Sequence, residues 1–314
     1  MRAIGLVVLA VLAMAPAVPA QARETAGLVT EIKVGKGKAE IKPADGAWRA
    51  AGPLQALRAG DQVRASDDAT LVVVLSGGRG TMKVHAQNSP WSVPAIAADG
   101  KAQKAQAVIA SSLGYLSGGT KEAPKAVLST RAGAGPPEIL TPRNGPVLGD
   151  ALAFEWMGSQ FSRYTVRVTS PSGVVLERKG VVGARLAYPT DVARLEPGVP
   201  YTLQVEAVGQ PVQEARFEVV APARAAAVRD ELAQLEASLG TGASPTSIAV
   251  VKAGALASTG LVHDARLIVL AALAKDPDEP TLHTILGTLY MATGLHRQAA
   301  EAFDEGNFLL SRDK

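Results

Sequence analysis

Four histidines are the side chains of this sequence with the widest range of chemistry, from metal binding to proton transfer. His85 stands alone, while His263, His283 and His296 follow at intervals that differ from His-x-x-x-His, the spacing that puts two zinc ligands on one helix face. The chain has no cysteine, which excludes thiolate nucleophiles and thiolate ligands. These residues therefore predict no metal site.

Motifs for nucleophilic attack and phosphate binding give no catalytic set either. The sequence has no Gly-x-Ser-x-Gly, and the glycine-rich segment 77–80 is not followed by the Lys-Ser/Thr pair of a phosphate-binding loop. Pairs of carboxylates hydrolyse glycans when they flank a sugar, but the sequence alone does not place two of them across one. We therefore expect a protein that is not an enzyme, with no catalytic residues and no cofactor.

Gly60 and Asp61 allow two interpretations. Asp61, with Asp67 and Asp68 close behind it, offers carboxylates to a cation, although a calcium loop arranges six or more oxygens at a defined spacing that this segment lacks. Alternatively, Gly60 supplies a positive φ and Asp61 accepts backbone hydrogen bonds in a turn between strands. We favour the turn, so both residues are predicted to be structural.

The elements that position such residues begin after an export signal. Arg2 precedes an uncharged apolar run over 3–15, and small residues suited to signal peptidase end at Ala20 and again at Ala22. We interpret residues 1–20 as a cleavable signal peptide, since the alternative, an N-terminal membrane anchor, needs an apolar run of about 20 residues. The protein is then expected in the periplasm of a Gram-negative bacterium, held by its cores without disulfides.

The charge balance argues against a nucleic-acid partner. Lys and Arg number 32 against 29 Asp and Glu, which gives a formal net charge of +3. Domains that bind nucleic acid carry a larger and more clustered positive charge. Later apolar stretches are interrupted by charged residues, as in 248–273, so no membrane span is predicted.

Residues 24–94 alternate short apolar runs with glycine turns, a pattern typical of an all-β domain. Trp48, the Gly60-Asp61 turn and the β-branched run 70–75 make this segment resemble a FecR-type domain. In iron-citrate signalling, members of that family span the inner membrane and pass a signal to a sigma factor. This sequence shows no such transmembrane helix, so the resemblance implies the periplasmic module alone.

A linker and a second β segment follow. Residues 95–137 are rich in Ala, Lys, Gln, Ser, Gly and Pro and are interpreted as the linker. Within it, 102–112 is open to two alternatives, a helix or a loose pairing with the first segment. Residues 138–221 show period-two alternation over many short runs, which predicts a β-sandwich.

A corner motif gives this sandwich a family resemblance. Its residues are Leu195, Pro197, Gly198 and Tyr201. They resemble the tyrosine corner of fibronectin type III and immunoglobulin-like domains, in which the phenol hydroxyl bonds to nearby backbone. Trp156 then falls where an inward core tryptophan would pack. The alternative is a sugar-stacking platform of Trp156, Tyr164 and Tyr188, and we favour the core because large aromatic side chains usually bury their area.

Residues 222–314 read as helical, and they contain an internal repeat. Thr-Gly-Leu at 259–261 recurs at 293–295, an offset of 34 residues that is typical of helix–turn–helix repeats. The second copy resembles the tetratricopeptide consensus, which implies paired helices with small residues at their crossings. The residues that carry this resemblance are Gly287, Tyr290, Gly294, Ala299 and Phe303, and Gly260 takes the matching turn position in the first copy.

The consensus register predicts an inner groove for a partner. Its members are uncharged and mostly small: Ser247, Val250, Gly254, Thr281, Thr284, Thr288 and Met291. Such a groove should prefer an apolar or helical ligand. About three repeats are normally needed to bury the apolar faces of a solenoid, so two repeats leave a face uncovered. Three alternatives could cover this apolar face: docking on the sandwich, self-association, or a partner segment.

The patterns predict a multidomain protein with an all-β FecR-like domain, a fibronectin type III/immunoglobulin-like β-sandwich and C-terminal all-α tetratricopeptide-like helices. We expect a non-enzymatic periplasmic binding or scaffold protein that holds an envelope protein or peptide through its C-terminal helices. One alternative is a protein that binds glycan or peptidoglycan through its β domains. Another is a periplasmic sensor component of a FecR-type signalling system.

Overall fold

The computed structural model describes residues 25–95, 103–118, 136–150 and 152–312. The predicted signal peptide lies outside these ranges. Two β regions and a C-terminal helical region follow one another along the chain, which confirms the predicted multidomain arrangement of β domains and helices.

The first β region has two four-stranded antiparallel sheets. Its strands are β1 (Gly27–Lys33), β2 (Ala39–Lys42), β3 (Arg49–Ala50), β4 (Ala56–Leu57), β5 (Gln62–Ala65), β6 (Thr70–Leu75), β7 (Thr81–Val84) and β8 (Trp91–Ser92). One sheet has the order β4-β1-β6-β7 and the other β3-β2-β5-β8. Side chains from both sheets, such as Ile32 and Val63, meet in a common core.

Strand β6 is apolar on both faces. Leu71 and Val73 belong to the core of the first β region, whereas Val74 belongs to the core of the helical region, together with Leu28 of β1. A strand with two apolar faces needs a packed layer on each side. The first β region therefore continues directly into the helical core through β1 and β6.

Helix α1 (Gln103–Gly118) lies within the segment that the sequence predicts to be a linker. Ile109, Leu113 and Leu116 recur at helical spacing, and all three are fully buried in the core of the helical region. This part of the segment is therefore a packed structural element and not a spacer. The interpretation of the whole of 95–137 as a linker is corrected accordingly.

The second β region is a sandwich of a five-stranded and a three-stranded sheet. Its strands are β9 (Glu138–Thr141), β10 (Gly145–Val147), β11 (Ala153–Met157), β12 (Arg163–Ser170), β13 (Gly173–Val182), β14 (Arg185–Ala187), β15 (Pro200–Ala207) and β16 (Gln213–Val219). The sheet orders are β10-β16-β15-β12-β13 and β14-β11-β9. Strands β10 and β16 run parallel, while the neighbours of β12, β15 and β11 are antiparallel to them.

Aromatic side chains fill the space between the two sheets of the sandwich. Trp156 and Tyr164 are 1% and 2% exposed, and their ring centroids lie 5.3 Å apart in an edge-to-face arrangement. Phe154 lies with its centroid 6.1 Å from those of Tyr188 and Phe217. Trp156 and Tyr164 are thus core residues and present no ring to a sugar.

The C-terminal region is built from paired helices. The helices are α2 (Pro222–Leu239), α3 (Pro245–Ser258), α4 (Val262–Leu273), α5 (Pro280–Ala292) and α6 (His296–Ser311). The turns of the α3–α4 and α5–α6 hairpins contain Gly260 and Gly294, whose φ angles are +84° and +77°. Glycine adopts this left-handed conformation without the penalty that a side chain would bring.

Small residues let the helices of the second hairpin approach closely. A Cβ on Gly287 would lie 2.8 Å from the ring of Phe303, which is closer than carbon atoms pack. Ala299 is fully buried, and Tyr290 is half-buried with the Arg266 guanidinium 5.7 Å from its ring centroid. The residue sizes at these positions are therefore set by the packing of α5 against its neighbours.

Candidate binding surfaces

The predicted groove residues lie together on α3 and α5, but most of them are covered. The buried members are Ser247, Val250, Gly254, Thr281 and Thr288. The partly exposed members are Thr284 and Met291. Two elements from earlier in the chain provide the cover, namely β1 and α1.

Helix α1 fills the middle of the groove. A Cβ on Gly254 would lie 2.8 Å from Cδ1 of Leu116 and 3.1 Å from the carbonyl oxygen of Ser112. A larger residue at 254 would therefore push α1 away. In this structure α1 occupies the place that the sequence assigns to a helical ligand.

Strand β1 covers the N-terminal end of α3. Its register against β6 shifts between Val29 and Glu31, a bulge of the kind that re-aims side chains. Thr30 Oγ1 lies 2.8 Å from Ser247 Oγ, and Ser247 donates to Glu31 Oε1 over 2.6 Å. Glu31 also accepts from Ser244, the N-cap residue of α3. The carboxylate is stabilised there because the N-terminus of a helix carries partial positive charge.

Glu279 connects β1 to α5 in a similar way. It is the N-cap residue of α5, and its Oε1 accepts from the backbone N–H of Thr281 and of Ile32, each over 3.2 Å. Among the described residues its Oε2 has no hydrogen-bond partner. Burial raises the pKa of Glu279 to about 7, and the nearby Glu31 carboxylate contributes to the rise.

The sandwich packs on the helical region through α4. Arg266 donates to Glu155 of β11 over 2.8 Å, and the backbone N–H of Leu148 donates to Asp264 over 3.1 Å. Burial raises the pKa of Asp264 to about 6. Burial, and secondarily the positive charge of Arg266, lowers the pKa of His263 to about 4. This histidine is therefore a neutral interface residue at pH 7.

The cover of the helical region comes from within the chain. Of the three covers that the sequence leaves open, docking on the sandwich is present in the structure. Strand β1 and helix α1 cover more of the helical region than the sandwich does, and the sequence patterns predict neither contribution. An external ligand at Gly254 would have to displace α1, and one at Ser247 would have to displace β1.

The Gly60-Asp61 segment is a turn. Gly60 has φ +87°, and Asp61 is 7% exposed. The two carboxylate oxygens of Asp61 accept from the backbone N–H of Ala44 over 3.2 Å and of Arg58 over 2.9 Å. Since both oxygens accept hydrogen bonds from backbone N–H groups, this carboxylate stabilises the loop.

The corner residues of the sandwich also bond to backbone. The Tyr201 hydroxyl accepts from the backbone N–H of Glu196 over 2.7 Å, and Leu195 is buried. Gly198, with φ +75°, donates its N–H to the carbonyl of Val219 over 2.8 Å. The neighbouring Pro197 forms an isolated bridge with the same strand, β16. The segment thus ties the start of β15 to the end of β16.

The histidines and carboxylates do not gather into a chemical centre. His85 bonds to Gln87, and His283 bonds to the carbonyl of Pro277. In the described part of the chain, no three His, Asp or Glu side chains lie close enough to hold a metal ion. None of the helices in the same ranges is long and apolar enough to cross a membrane.

A cleft lies between α1, α2 and α3. Its volume is about 210 Å³, and its lining is mainly apolar, with Val108, Val228 and Leu232 among the contributors. Pockets for small ligands typically have volumes of roughly 300–1,000 Å³. The cleft is therefore better explained as a gap where three helices diverge.

Three loops at one end of the sandwich carry exposed apolar side chains. Phe161, between β11 and β12, is 88% exposed, and Val208, after β15, is 93% exposed. Val182 at the end of β13 and Val212 just before β16 are exposed as well. They lie at the same end because the start of β12 pairs with the ends of β13 and β15. We call these four residues the apolar loop end.

No family model matches the chain, and no curated protein matches it.

Proposed function

We propose that this chain is a non-enzymatic scaffold protein of the bacterial periplasm that binds an envelope protein at the apolar loop end of its sandwich. In this proposal the helical region has a structural task, which is to hold both β regions in a fixed arrangement. The observation that carries the proposal is the exposure of Phe161, Val182, Val208 and Val212 at one end of the sandwich.

The chemistry of these loops favours a protein partner. Segments 158–162 and 208–212 contain no charged residue, so they offer apolar and amide groups but no strong attraction for ions. Clustered exposed apolar side chains on a soluble domain commonly mark an interaction site. The loops at one end of an immunoglobulin-like sandwich are also a recurrent binding position.

The β13 edge of the sandwich is less suited to partner binding than the apolar loop end. Strand β13 is an edge strand, but its register against β12 shifts at two places, between Tyr164 and Val166 and between Val168 and Thr169. Bulges on an edge strand hinder the addition of a further strand. We therefore place the partner on loop side chains and not on the β13 backbone.

Site-specific photocrosslinking in cells tests this proposal. A photoreactive residue in place of Phe161 should give a discrete adduct with another envelope protein. The same probe at Val174, which is 60% exposed at the opposite end of β13, is the matched control and should give none. Adding Val208→Asp should abolish the adduct at 161, because a charge would have to be buried in the interface.

Two outcomes would contradict the proposal. One is equal crosslinking from positions 161 and 174, which would indicate random collision. The other is an adduct at 161 that contains only a second copy of this chain, which would make the loop end a self-association surface.

A further inference from the structure

The sheet β3-β2-β5-β8 of the first β region has an outer face that faces away from the core. Alternation along β2 and β5 places Ala39, Ile41, Val63 and Ala65 in the core. Their neighbours point to the opposite side of the sheet, and cross-strand pairing puts Glu40 opposite Arg64 and Lys42 opposite Gln62. These four polar residues are Glu40, Lys42, Gln62 and Arg64. We call them, together with Trp48, the outer polar face.

Trp48 belongs to this face and not to the core. It lies directly before β3, and its ring is on the outward side of the sheet because it contacts Arg64, one of the four polar residues of that side. The ring is partly exposed, and the guanidinium of Arg64 lies 4.1 Å from its centroid. Trp91, by contrast, packs against the core of the first β region. The protein thus keeps one tryptophan of this region at the surface.

The polar groups beside Trp48 are held in place. Arg64 Nε donates to Glu40 Oε2 over 2.8 Å, and the two side chains keep 41% and 20% of their area exposed. The stack of Arg64 on Trp48 restricts the guanidinium further. Groups that are already ordered lose less conformational entropy when a ligand binds. The face therefore combines an aromatic ring with fixed donors and acceptors.

From these observations we infer that the outer polar face binds a glycan strand that carries carboxylate groups, which is the chemistry of bacterial peptidoglycan. The apolar side of a sugar ring would contact the exposed part of the Trp48 ring, beside the Arg64 guanidinium that lies over it. The hydroxyl groups would bond to Glu40 and Gln62, while Arg64 and Lys42 would meet the carboxylates.

A glycan fits this face better than a protein or a nucleic acid does. Apart from Trp48 and the small Ala50 the outward side chains are polar, whereas the centre of a protein interface is usually apolar. The presence of Glu40 among the cations disfavours a phosphate backbone, which selects uniformly basic surfaces. The inference goes beyond the proposed protein partner, since it concerns a different region of the chain.

Sedimentation with purified peptidoglycan sacculi tests the inference on the full chain. The wild-type protein should pellet with the sacculi, and Trp48→Ala should weaken this binding at least tenfold. Trp48→Phe should restore most of it, because a smaller ring still stacks. Phe308→Ala is the matched control: it removes an exposed aromatic residue from α6 and should leave sacculus binding unchanged.

A second variant protects the test against misfolding. Lys42→Gln removes a positive charge that would meet the ligand carboxylates, and it should weaken binding severalfold while the melting temperature of the protein stays close to that of the wild type. Failure of the wild-type protein to bind sacculi, or equal binding by Trp48→Ala and wild type, would overturn the inference. Neither result would affect crosslinking at position 161, so this inference and the proposed function fail separately.

Discussion

Tyr201 illustrates how a single hydroxyl organises a loop. It accepts the backbone N–H of Glu196 five residues earlier, and the ring stacks on Phe217 with a centroid distance of 5.6 Å. The ring contributes burial, while the hydroxyl satisfies a backbone donor that the turn would otherwise leave without a partner. These two contributions can be separated by removing the hydroxyl alone.

We expect Tyr201→Phe to lower the free energy of unfolding by about 1–3 kcal/mol, because the Glu196 N–H loses its acceptor in a partly buried position. Urea unfolding followed by near-ultraviolet circular dichroism measures the change. Tyr188→Phe is the control, since its hydroxyl donates to Ala193 at an exposed position where water can replace it. Equal losses of stability in Tyr201→Phe and Tyr188→Phe would show that the corner hydrogen bond stabilises the protein no more than an exposed one does.

At the scale of elements, α1 is the element whose role differs most from the sequence prediction, which assigns its segment to a linker. Its apolar stripe is short, and the surrounding Ala, Lys, Gly and Pro composition resembles that of a linker. Leu116 nevertheless packs against Gly254 of α3, far along the chain. The helix therefore acts as an additional member of the helical stack.

We expect Leu116→Ala to destabilise the protein by about 2–5 kcal/mol, the usual cost of truncating a buried leucine. Ser111→Ala, at an exposed position of the same helix, controls for effects on helix propensity and should change stability little. Thermal and urea unfolding of the full chain provide the measurement. If Leu116→Ala were as stable as wild type, α1 would not be part of the packed structure in solution.

The sequence of strand β6 indicates that both of its faces are buried. A half-buried strand alternates apolar and polar residues, whereas Leu71 to Leu75 is apolar throughout. This run predicts a second layer on the far side of the sheet. It does not say which layer, because several segments of the chain have an apolar face of suitable size.

At the scale of the whole molecule, the junction between β1 and the helical region should respond to pH. Burial raises the pKa of Glu279 from an ordinary 4.5 to about 7, so the folded protein binds this proton more tightly than the unfolded chain does. The stabilising contribution is complete below pH 4.5 and is lost as the pH rises through 7. The charged groups near it are Glu31 and the Lys33–Asp276 ion pair, with an N–O distance of 3.0 Å.

We expect the wild-type melting temperature to fall between pH 5 and pH 8 by more than that of Glu279→Gln, since the amide cannot ionise. The two proteins must be compared at each pH, because other groups also make stability depend on pH. The raised pKa of Asp264 lowers stability as the pH rises, as that of Glu279 does, whereas the lowered pKa of His263 has the opposite effect. Glu305→Gln, on the exposed side of α6, is the control and should follow the wild-type profile. Parallel profiles for wild type and Glu279→Gln would refute the role of Glu279.

Short-range patterns in the sequence determined the order and type of the main elements. Period-two runs, the 34-residue repeat and the glycine turns act through local backbone preferences and the periodicity of burial, so a single chain suffices to interpret them. The burial of Trp156 and the turn at Gly60-Asp61 belong to the same class. Each is signalled by a local pattern, which is the period-two alternation of β11 for Trp156 and the Gly-Asp pair for the turn.

The tertiary structure alone decided which surfaces stay free. Thr30 and Ser247, which bond across the junction, are 217 residues apart, and α1 reaches the groove from a segment without a strong pattern. Such contacts depend on the shapes of two assembled surfaces, which no local periodicity encodes. The sequence pattern therefore predicts a partner site at the groove, although the chain itself covers most of it, while the exposure of Phe161 and Val208 is a property of the folded structure alone.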